Sequence, residues 1–543
     1  MPIAVTGEQQ ALASSLRDWA KRAQTIATVR AMESGPAREK YAAIWHDLDN
    51  LGVFGIGVEQ GTLTDLAVAV EELAHALTPG PVLPTALASH LLGRSVQTGA
   101  FATSPGTLAA TRHPDGRITI SGRTSPVLGT PGELIVTTGH DWFHVTGPAV
   151  VTPLTPLDFS RELTAIELAD ATAELIRKPQ VGALFAAEAA GVARWCLETA
   201  VDYAKTRSQF GHRIGEFQAV KHLCATMACR AERAAALAWD ASRGGDSSAA
   251  QALEDAVENA KDCVQVLGGI GFTWEHDAHL YLRRAVALRQ LLDIEPRNEP
   301  YRYNDDGPPS IGMWAIPAIN QFGTEDQKAR FNSTDITWCQ LFSEPEAGSD
   351  LASLRTKATK TGSGWTLSGQ KVWTSLAREA DYAICLARTD PDVPKHKGLS
   401  YFLVDMRAPG ITIRPLREMT GRSVFNEVFL DDVFVPANNL LGQPGDGWRI
   451  AMSTLATERE RMGAGQVEAL LAERGTHPAI RKLVGVESRQ RQAEQELRTL
   501  GRNGAIDSPE ATEFLLTRCL SIAGGTTQIL LNQVAERVLG LPR

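Results

Sequence analysis

Ser343, Gly348 and Ser349 share one short loop, SEPEAGSD, over residues 343–350. Backbone N–H groups and hydroxyls crowded in this way can be offered to a flat cofactor rich in hydrogen-bonding atoms. On the next alternating stretch, KVWTS, Trp373 supplies a stacking face and Ser375 a further hydroxyl. Taken alone, a Gly/Ser loop between strands is an ordinary turn. Downstream, LATERER places Glu458, Arg459 and Glu460 on one apolar-periodic stretch. A carboxylate desolvated on such a helix has its pKa raised and can become a usable base. In water the same residue is half of a helix salt bridge. Glu460, two positions on, projects from a different face and reads as the solvated one.

These residues need a particular scaffold. From Trp338 to about 440, short alternating runs broken by Gly, Pro and Asp predict a small β-domain, and the helix carrying Glu458 follows it. The same order occurs earlier. Residues 8–80 show apolar residues at helical spacing, residues 100–170 switch to strand-like runs, and residues 180–290 return to long helices. A search for repeats therefore divides the chain into two copies of one pattern. The predicted class is α+β, a helical N-domain, a middle β-barrel domain and a C-terminal helical bundle, repeated twice. The expected boundaries are 1–95, 96–175 and 176–290 for the first copy, then 291–336, 337–442 and 443–543 for the second. The second copy is short in both helical regions, with abrupt joins at PRNEPYRYNDDGPP and GRNGAIDSPEATEF. Either the chain is naturally trimmed there or segments are missing from this copy; helices there would otherwise leave apolar faces uncovered, which favours the second.

The four pieces SEPEAGSD, KVWTS, the helix with Glu458 and the tail SIAGGTTQILLNQVAERVLGLPR together resemble the acyl-CoA dehydrogenase family of flavoenzymes. The resemblance implies FAD as cofactor. It carries the flavin contacts onto Leu341, Ser343, Gly348, Ser349, Trp373 and Ser375, with Thr526 and Gln528 in the tail. Glu346 stands where the family normally has Gly, and Thr374 where it has an aliphatic residue. The family's catalytic Glu often sits in a Tyr-Glu-Gly-Thr turn near the C-terminus, but here that turn is Ala523-Gly524-Gly525-Thr526. A second branch places the base earlier, in an LxxER pattern, and Leu455 to Arg459 matches it. The resemblance thus assigns Glu458 as base and Arg459 as a residue that orders the site.

The first copy differs. RTSPVLGTPGE occupies the region of the flavin loop, and Val181 stands at the position of Glu458, so this half reads as catalytically silent. It nevertheless keeps TRSQFG, GEFQAVKH and VQVLGGIGF, which in the family come from a neighbouring subunit and clamp FAD. That carries Arg207, Phe210, Gln265, Gly268 and Gly269 over as cofactor contacts, Arg207 to the pyrophosphate. His222 either flanks the flavin or is a partly buried helix histidine. One FAD per chain is expected, bound across a pseudo-dimer interface inside one polypeptide.

At 543 residues with 43% hydrophobic and 22% charged residues, the chain is expected to form a multidomain globular protein. A net charge of −9 without basic blocks argues against a nucleic-acid partner, and no run suits a membrane span. Seven single cysteines suit a reducing, cytoplasmic setting. No metal site is expected. The resemblance implies α,β-desaturation of an acyl-CoA in β-oxidation, with an electron-transfer flavoprotein as acceptor and a homodimer of fused chains. A silent half joined to an active one is similar to bacterial dehydrogenases of steroid side-chain acyl-CoAs, so a bulky acyl group is expected. The alternatives are an acyl-CoA oxidase on the same fold and a non-catalytic CoA- or flavin-binding subunit.

Overall fold

The computed structural model describes residues 3–33, 38–102, 106–129, 132–139, 141–176, 181–244, 249–292, 312–333, 335–462, 477–534 and 537. The side chains of 38, 40, 125, 229, 459–462, 484 and 488 also fall outside the described set. Helices Gly7–Ala23, Thr25–Ala31, Arg38–Asn50, Leu63–His75 and Val82–Leu92 come first. Threonine side chains open several helices in both halves. Thr6, Thr62 and Thr324 each accept from the backbone three residues on, while Gln9, Asp65 and Gln327 reach back to the cap.

Two of these helices lie outside the predicted pattern. Val82–Leu92 is buried from Val82 to Ser89 and apolar all round, so it carries no helical period to read, and Pro84 sits in its first turn, where proline is tolerated. Thr25–Ala31 is separated from the helix before it by Gln24 in the left-handed conformation, φ 51°.

The first sheet contains β1 (Gly99–Phe101), β2 (Ala109–Arg112), β3 (Ile118–Leu128), β4 (Glu133–Thr137), β5 (Trp142–Val145), β6 (Ala149–Leu154) and β7 (Leu163–Ile176). Its order is β2-β3-β1-β4-β5-β7-β6, and a further β3–β7 pairing closes five strands into a ring. Helices Gly182–Thr206, Gln218–Ser242, Ala249–Leu267 and Ala278–Leu292 follow, with the two-stranded ribbon β8 (Ser208–Gln209) and β9 (His212–Arg213) between the first two.

The second half begins with the short helices Gly312–Phe322 and Glu325–Phe331. Its sheet contains β10 (Trp338–Leu341), β11 (Lys357–Lys360), β12 (Gly364–Ser375), β13 (Tyr382–Arg388), β14 (Leu399–Asp405), β15 (Ile411–Leu416), β16 (Phe425–Pro436) and β17 (Leu440–Leu441). The order is β15-β16-β12-β11-β13-β14-β17, with β10 paired to β13. Helices Gly447–Met462, Pro478–Thr499, Pro509–Leu516 and Thr527–Gln533 complete the chain.

One strand pair in each sheet repeats the same irregularities. β3 and β7 pair with register shifts at Ile120/Gly122 and Thr124/Val127; β12 and β16 pair with shifts at Leu367/Gly369 and Lys371/Thr374. In both, a serine just before the first shift donates to an aspartate at positive φ on the facing strand: Ser121 to Asp170 at 3.0 Å, Ser368 to Asp432 at 2.6 Å. In both, the glycine after that serine has no room for a Cβ, which would meet Thr107 O at 2.3 Å or Thr356 Oγ1 at 2.5 Å. The bulges therefore fall at matching positions in the two copies, where such insertions bend a strand.

The halves share a core. Met419, Leu497, Ala505, Ala511, Phe514 and Leu515 of the second half belong to the hydrophobic cluster of the first. Backbone bonds tie them across: Met419 N to Phe272 O at 3.0 Å, Trp274 N to Arg417 O at 2.9 Å, and Leu157 N to Ala505 O at 2.8 Å. The join at GRNGAIDSPEATEF is therefore a docked turn, where a Cβ at Gly504 would meet Gln290 Nε2 at 2.4 Å. The other join, PRNEPYRYNDDGPP, lies outside the described residues. Glu494 meets Lys261 and, at 3.0 Å, Arg289 of the first half, besides Arg498 of its own helix. Burial works to raise its carboxyl, and the three cations outweigh it, holding Glu494 far below the ordinary carboxylate range.

Candidate functional site

β10 is buried and delivers its last residue, Leu341, fully covered to the start of the SEPEAGSD loop. Reciprocal bonds between Glu344 and Ala347 fold the loop back on itself, at 3.2 and 3.0 Å. Beneath it the Glu344 carboxylate accepts from Arg355 N at 2.6 Å, Thr356 N at 2.8 Å and Lys371 Nζ at 2.9 Å. Lys371 is fully buried and also donates to Phe342 O at 3.1 Å. Burial alone would raise the Glu344 carboxyl; Lys371 and the Thr356 hydroxyl outweigh it, so it is held below its ordinary value. This ion pair, with Val372 N donating to Ser343 O at 2.9 Å, welds the loop to β12.

Two residues past Lys371, Trp373 stands at φ 65° on the second bulge of β12. A non-glycine residue there is held by its surroundings. Its ring lies 5.6 Å from that of Phe425 and 6.3 Å from that of Phe272 in the first half. A Cβ at Gly269, also in the first half, would come within 2.8 Å of Trp373 Nε1. Ser375 closes β12, and Ser343 and Ser375 are both partly exposed. Gly348 and Ser349 are exposed, and a Cβ at Gly348 would meet nothing within 4 Å.

The segment after helix Gly182–Thr206 reaches this loop. Arg207 donates to Glu346 Oε2 at 3.1 Å and to Pro345 O at 3.0 Å. Gln209 donates to Glu346 O at 3.0 Å and accepts from Asp350 N at 3.1 Å; Phe210, at φ 57°, donates its N–H to Asp350 Oδ2 at 3.1 Å. Arg207, the residue expected to face a pyrophosphate, has partners of its own in the chain. Its guanidinium meets the carboxylate of Glu346, the residue standing in place of the family's Gly, so part of its charge is already matched within the chain. Gln265 donates to Gln528 Oε1 at 3.2 Å, bringing together two candidates that are 263 positions apart. Gly268, at φ 63° and ψ −137°, has open space where a Cβ would be, a conformation suited to glycine. Thr526 caps helix Thr527–Gln533 through Ile529 N at 3.4 Å. His222 is exposed on helix Gln218–Ser242, so its reading as a partly buried histidine does not hold.

Glu458 is 8% exposed on helix Gly447–Met462, and its carboxylate accepts from Gln340 Nε2 at 3.3 Å. One turn earlier, Thr454 uses its hydroxyl hydrogen on Ile450 O at 3.0 Å, so the buried Tyr401 hydroxyl, 3.1 Å away, donates to it. Burial chiefly, with the charge of Glu458 adding to it, raises the Tyr401 phenol and keeps it neutral. The side chain of Arg459 lies outside the described residues. At the turn where the base is often found, Gly524 and Gly525 take positive φ, and Lys482 donates to Gly525 O at 2.8 Å. Gln340 is the member of this cluster that sequence reasoning missed. A lone glutamine in an apolar strand gives no sign of its neighbours.

Carboxylates of Glu254, Glu258 and Glu494 lie within 4.8 Å of one another, but Lys261, Arg289 and Arg498 already neutralise them. Among the described residues no helix is long and apolar enough to cross a membrane.

The chain matches family models for the acyl-CoA dehydrogenase middle domain over residues 339–433 and the C-terminal domain over residues 183–291. The two matches fall on opposite halves. Over its whole length, and the whole length of the relative, it is 39% identical to acyl-CoA dehydrogenase FadE34 of Mycobacterium tuberculosis. The chain belongs to the acyl-CoA dehydrogenase family. That alignment runs over 714 positions, more than the 543 residues present here, so it opens gaps in this acyl-CoA dehydrogenase. A second relative, acyl-CoA dehydrogenase IpdE1 of the same organism, is 35% identical over 51% of this chain and 83% of its own. The solved Tcur3481-Tcur3483 steroid ACAD covers 53% of this chain and 89% of that one, at 23% identity and a TM-score of 0.39. The protein is thus an oxidoreductase built on this family's helical and β-domain scaffold.

Proposed function

We propose that this acyl-CoA dehydrogenase holds one FAD per chain between its halves and desaturates an acyl-CoA at Cα–Cβ, with Glu458 as the base. The residues present fit the cofactor. Gly348 and Gly268 leave open space where side chains would stand, and Trp373 presents an aromatic ring braced by Phe425. Leu341, Ser343, Ser349, Ser375, Thr526 and Gln528 from the second half would hold it, with Arg207, Phe210, Gln265 and Gly269 from the first. When bound, FAD supplies the two-electron acceptor for the hydride leaving the β-carbon.

Glu458 takes the α-proton onto its carboxylate. Its burial strips away water that would otherwise weaken it as a base, and the N-terminal half of its helix, through Tyr401 and Thr454, is fixed against β14. The observation that carries this reading is the buried position of Glu458 on the helix leaving the intact β-domain, while the other possible turn has Gly524 and no carboxylate. Electrons then pass to an electron-transfer flavoprotein, in the cytoplasm, and the fused chains pair as a homodimer.

The acyl group we assign is bulky, of the steroid side-chain kind. The helices described before the β-domain of the active half are short, Gly312–Phe322 and Glu325–Phe331, and a reduced helical wall would leave room for such a group. A panel of saturated acyl-CoAs, including steroid side-chain thioesters, tests this: loss of two hydrogens by mass, fastest with the ring-bearing thioesters, is expected. Preference for straight short chains would overturn the substrate assignment. Hydrogen peroxide formed in step with product would show an oxidase. A protein that takes up no flavin would be a binding subunit.

A further inference from the structure

Gln340 lies between two elements that the sequence keeps far apart. Its side chain accepts at Oε1 from Trp314 Nε1 at 2.9 Å and donates from Nε2 to Glu458 Oε2 at 3.3 Å. The indole N–H can only donate, so the amide atom facing Trp314 is the oxygen. The NH2 group is thereby turned toward Glu458, where an ionised carboxylate can only accept. Trp314 is 6% exposed and packs in the same cluster as Ile450, Ala451 and Leu455 of the Glu458 helix. The orientation of the amide is therefore fixed by the core and not by solvent.

From this geometry we infer that Gln340 is a positioning residue for the proton-transfer step: locked by Trp314, it aims the Glu458 carboxylate and favours its ionised form. The inference rests on Glu458 being the base. A hydrogen bond to the charged form of an acid favours that form, so loss of the donor makes the carboxylate harder to ionise. It also frees the carboxylate to turn away from its productive angle. Among the described residues, the other titratable or charged groups on this helix and on the elements packed against it are Arg449 on the helix itself, Cys339 on β10, Tyr382, Cys385 and Arg388 on β13, Tyr401 and Asp405 on β14, and on helix Pro478–Thr499 Arg481, Lys482, Glu487, Arg489, Arg491, Glu494, Glu496 and Arg498. Helix Gly312–Phe322 brings none. None of these is altered by a change at position 340 or 314.

The test compares three variants of the flavin-loaded full chain. Gln340→Met keeps the length of the side chain and removes the donor. It should lower kcat about tenfold with little change in KM, as expected for a lost hydrogen bond to a charged group. The acidic limb of its kcat/KM profile should move up by about one pH unit. Trp314→Phe keeps the packing and frees the amide to flip, so its limb should move the same way by less. It carries the same test should Gln340→Met fail to fold. Glu458→Gln separates the two claims. If it still turns over, the base lies elsewhere and this inference falls with it. If it is inactive while Gln340→Met and Trp314→Phe keep the wild-type pH profile, Glu458 stands and the role of Gln340 is overturned.

Discussion

The two β-domains share a frame and part company at one bulge. Counting from the matched register shifts, Thr124 of the first sheet corresponds to Lys371 of the second, and Pro126 to Trp373. Lys371 anchors the loop through Glu344, and Trp373 bends its backbone to φ 65° to present a ring. Proline cannot take that φ, because its ring fixes it near −65°. The first sheet has therefore given up the aromatic face by a change that also forbids the backbone conformation the face requires. What it keeps is the frame: Ser121, Gly122 and Asp170 hold the same twist as Ser368, Gly369 and Asp432. A fold can persist after its site is gone because the bulges that shape the sheet and the residues that serve the ligand are different residues.

That contrast can be broken at several points. The largest effect is expected for Glu458→Gln, which should lower desaturation by roughly a thousandfold with flavin retained. Val181 caps helix Gly182–Thr206, whereas Glu458 lies well inside helix Gly447–Met462, so the sequence-based match of these two positions does not hold. Next comes the seam. Glu494→Gln removes the anion matched by Lys261, Arg289 and Arg498, and should cost about 3 kcal/mol in denaturant unfolding at neutral pH. Its carboxyl titrates well below the ordinary value of 4.5, so the contribution is full above that pH. The gap between variant and wild type should narrow as the pH falls below it. A gap that stays constant would remove the charge argument.

Smaller effects sharpen the division of roles. Arg207→Ala should weaken flavin retention about twentyfold, although the residue lies in the silent half, by loss of a charge-assisted contact. Glu346→Gln should work the other way, freeing Arg207 for an anion. Trp373→Ala should weaken flavin retention by about tenfold, read from flavin release on dilution. Pro126→Ala, at the matching position, should leave it unchanged.

Much of this plan could be read from sequence. SEPEAGSD, KVWTS and LATER are local signals, and Leu63–His75 has a helical period opened by a capping box. Val82–Leu92 had no period to find, because it is covered on every side. β6 has four consecutive exposed residues within it and so lacks the alternation that marks a half-buried strand. Gln340 was illegible for a different reason. Its role depends on two helices, before and after the β-domain, meeting over one strand, and no spacing along the chain encodes that meeting.

The backbone bonds joining Phe272 and Trp274 to Met419 and Arg417 belong to one polypeptide. A pocket assembled from separate subunits comes apart as protein becomes scarce, and its cofactor goes with it. Here the partner surface is tethered, so its local concentration is fixed by covalent connection and does not fall on dilution. The cofactor pocket proposed between the halves should then hold its shape equally well in a cell that makes a few copies of the protein and in one that makes thousands.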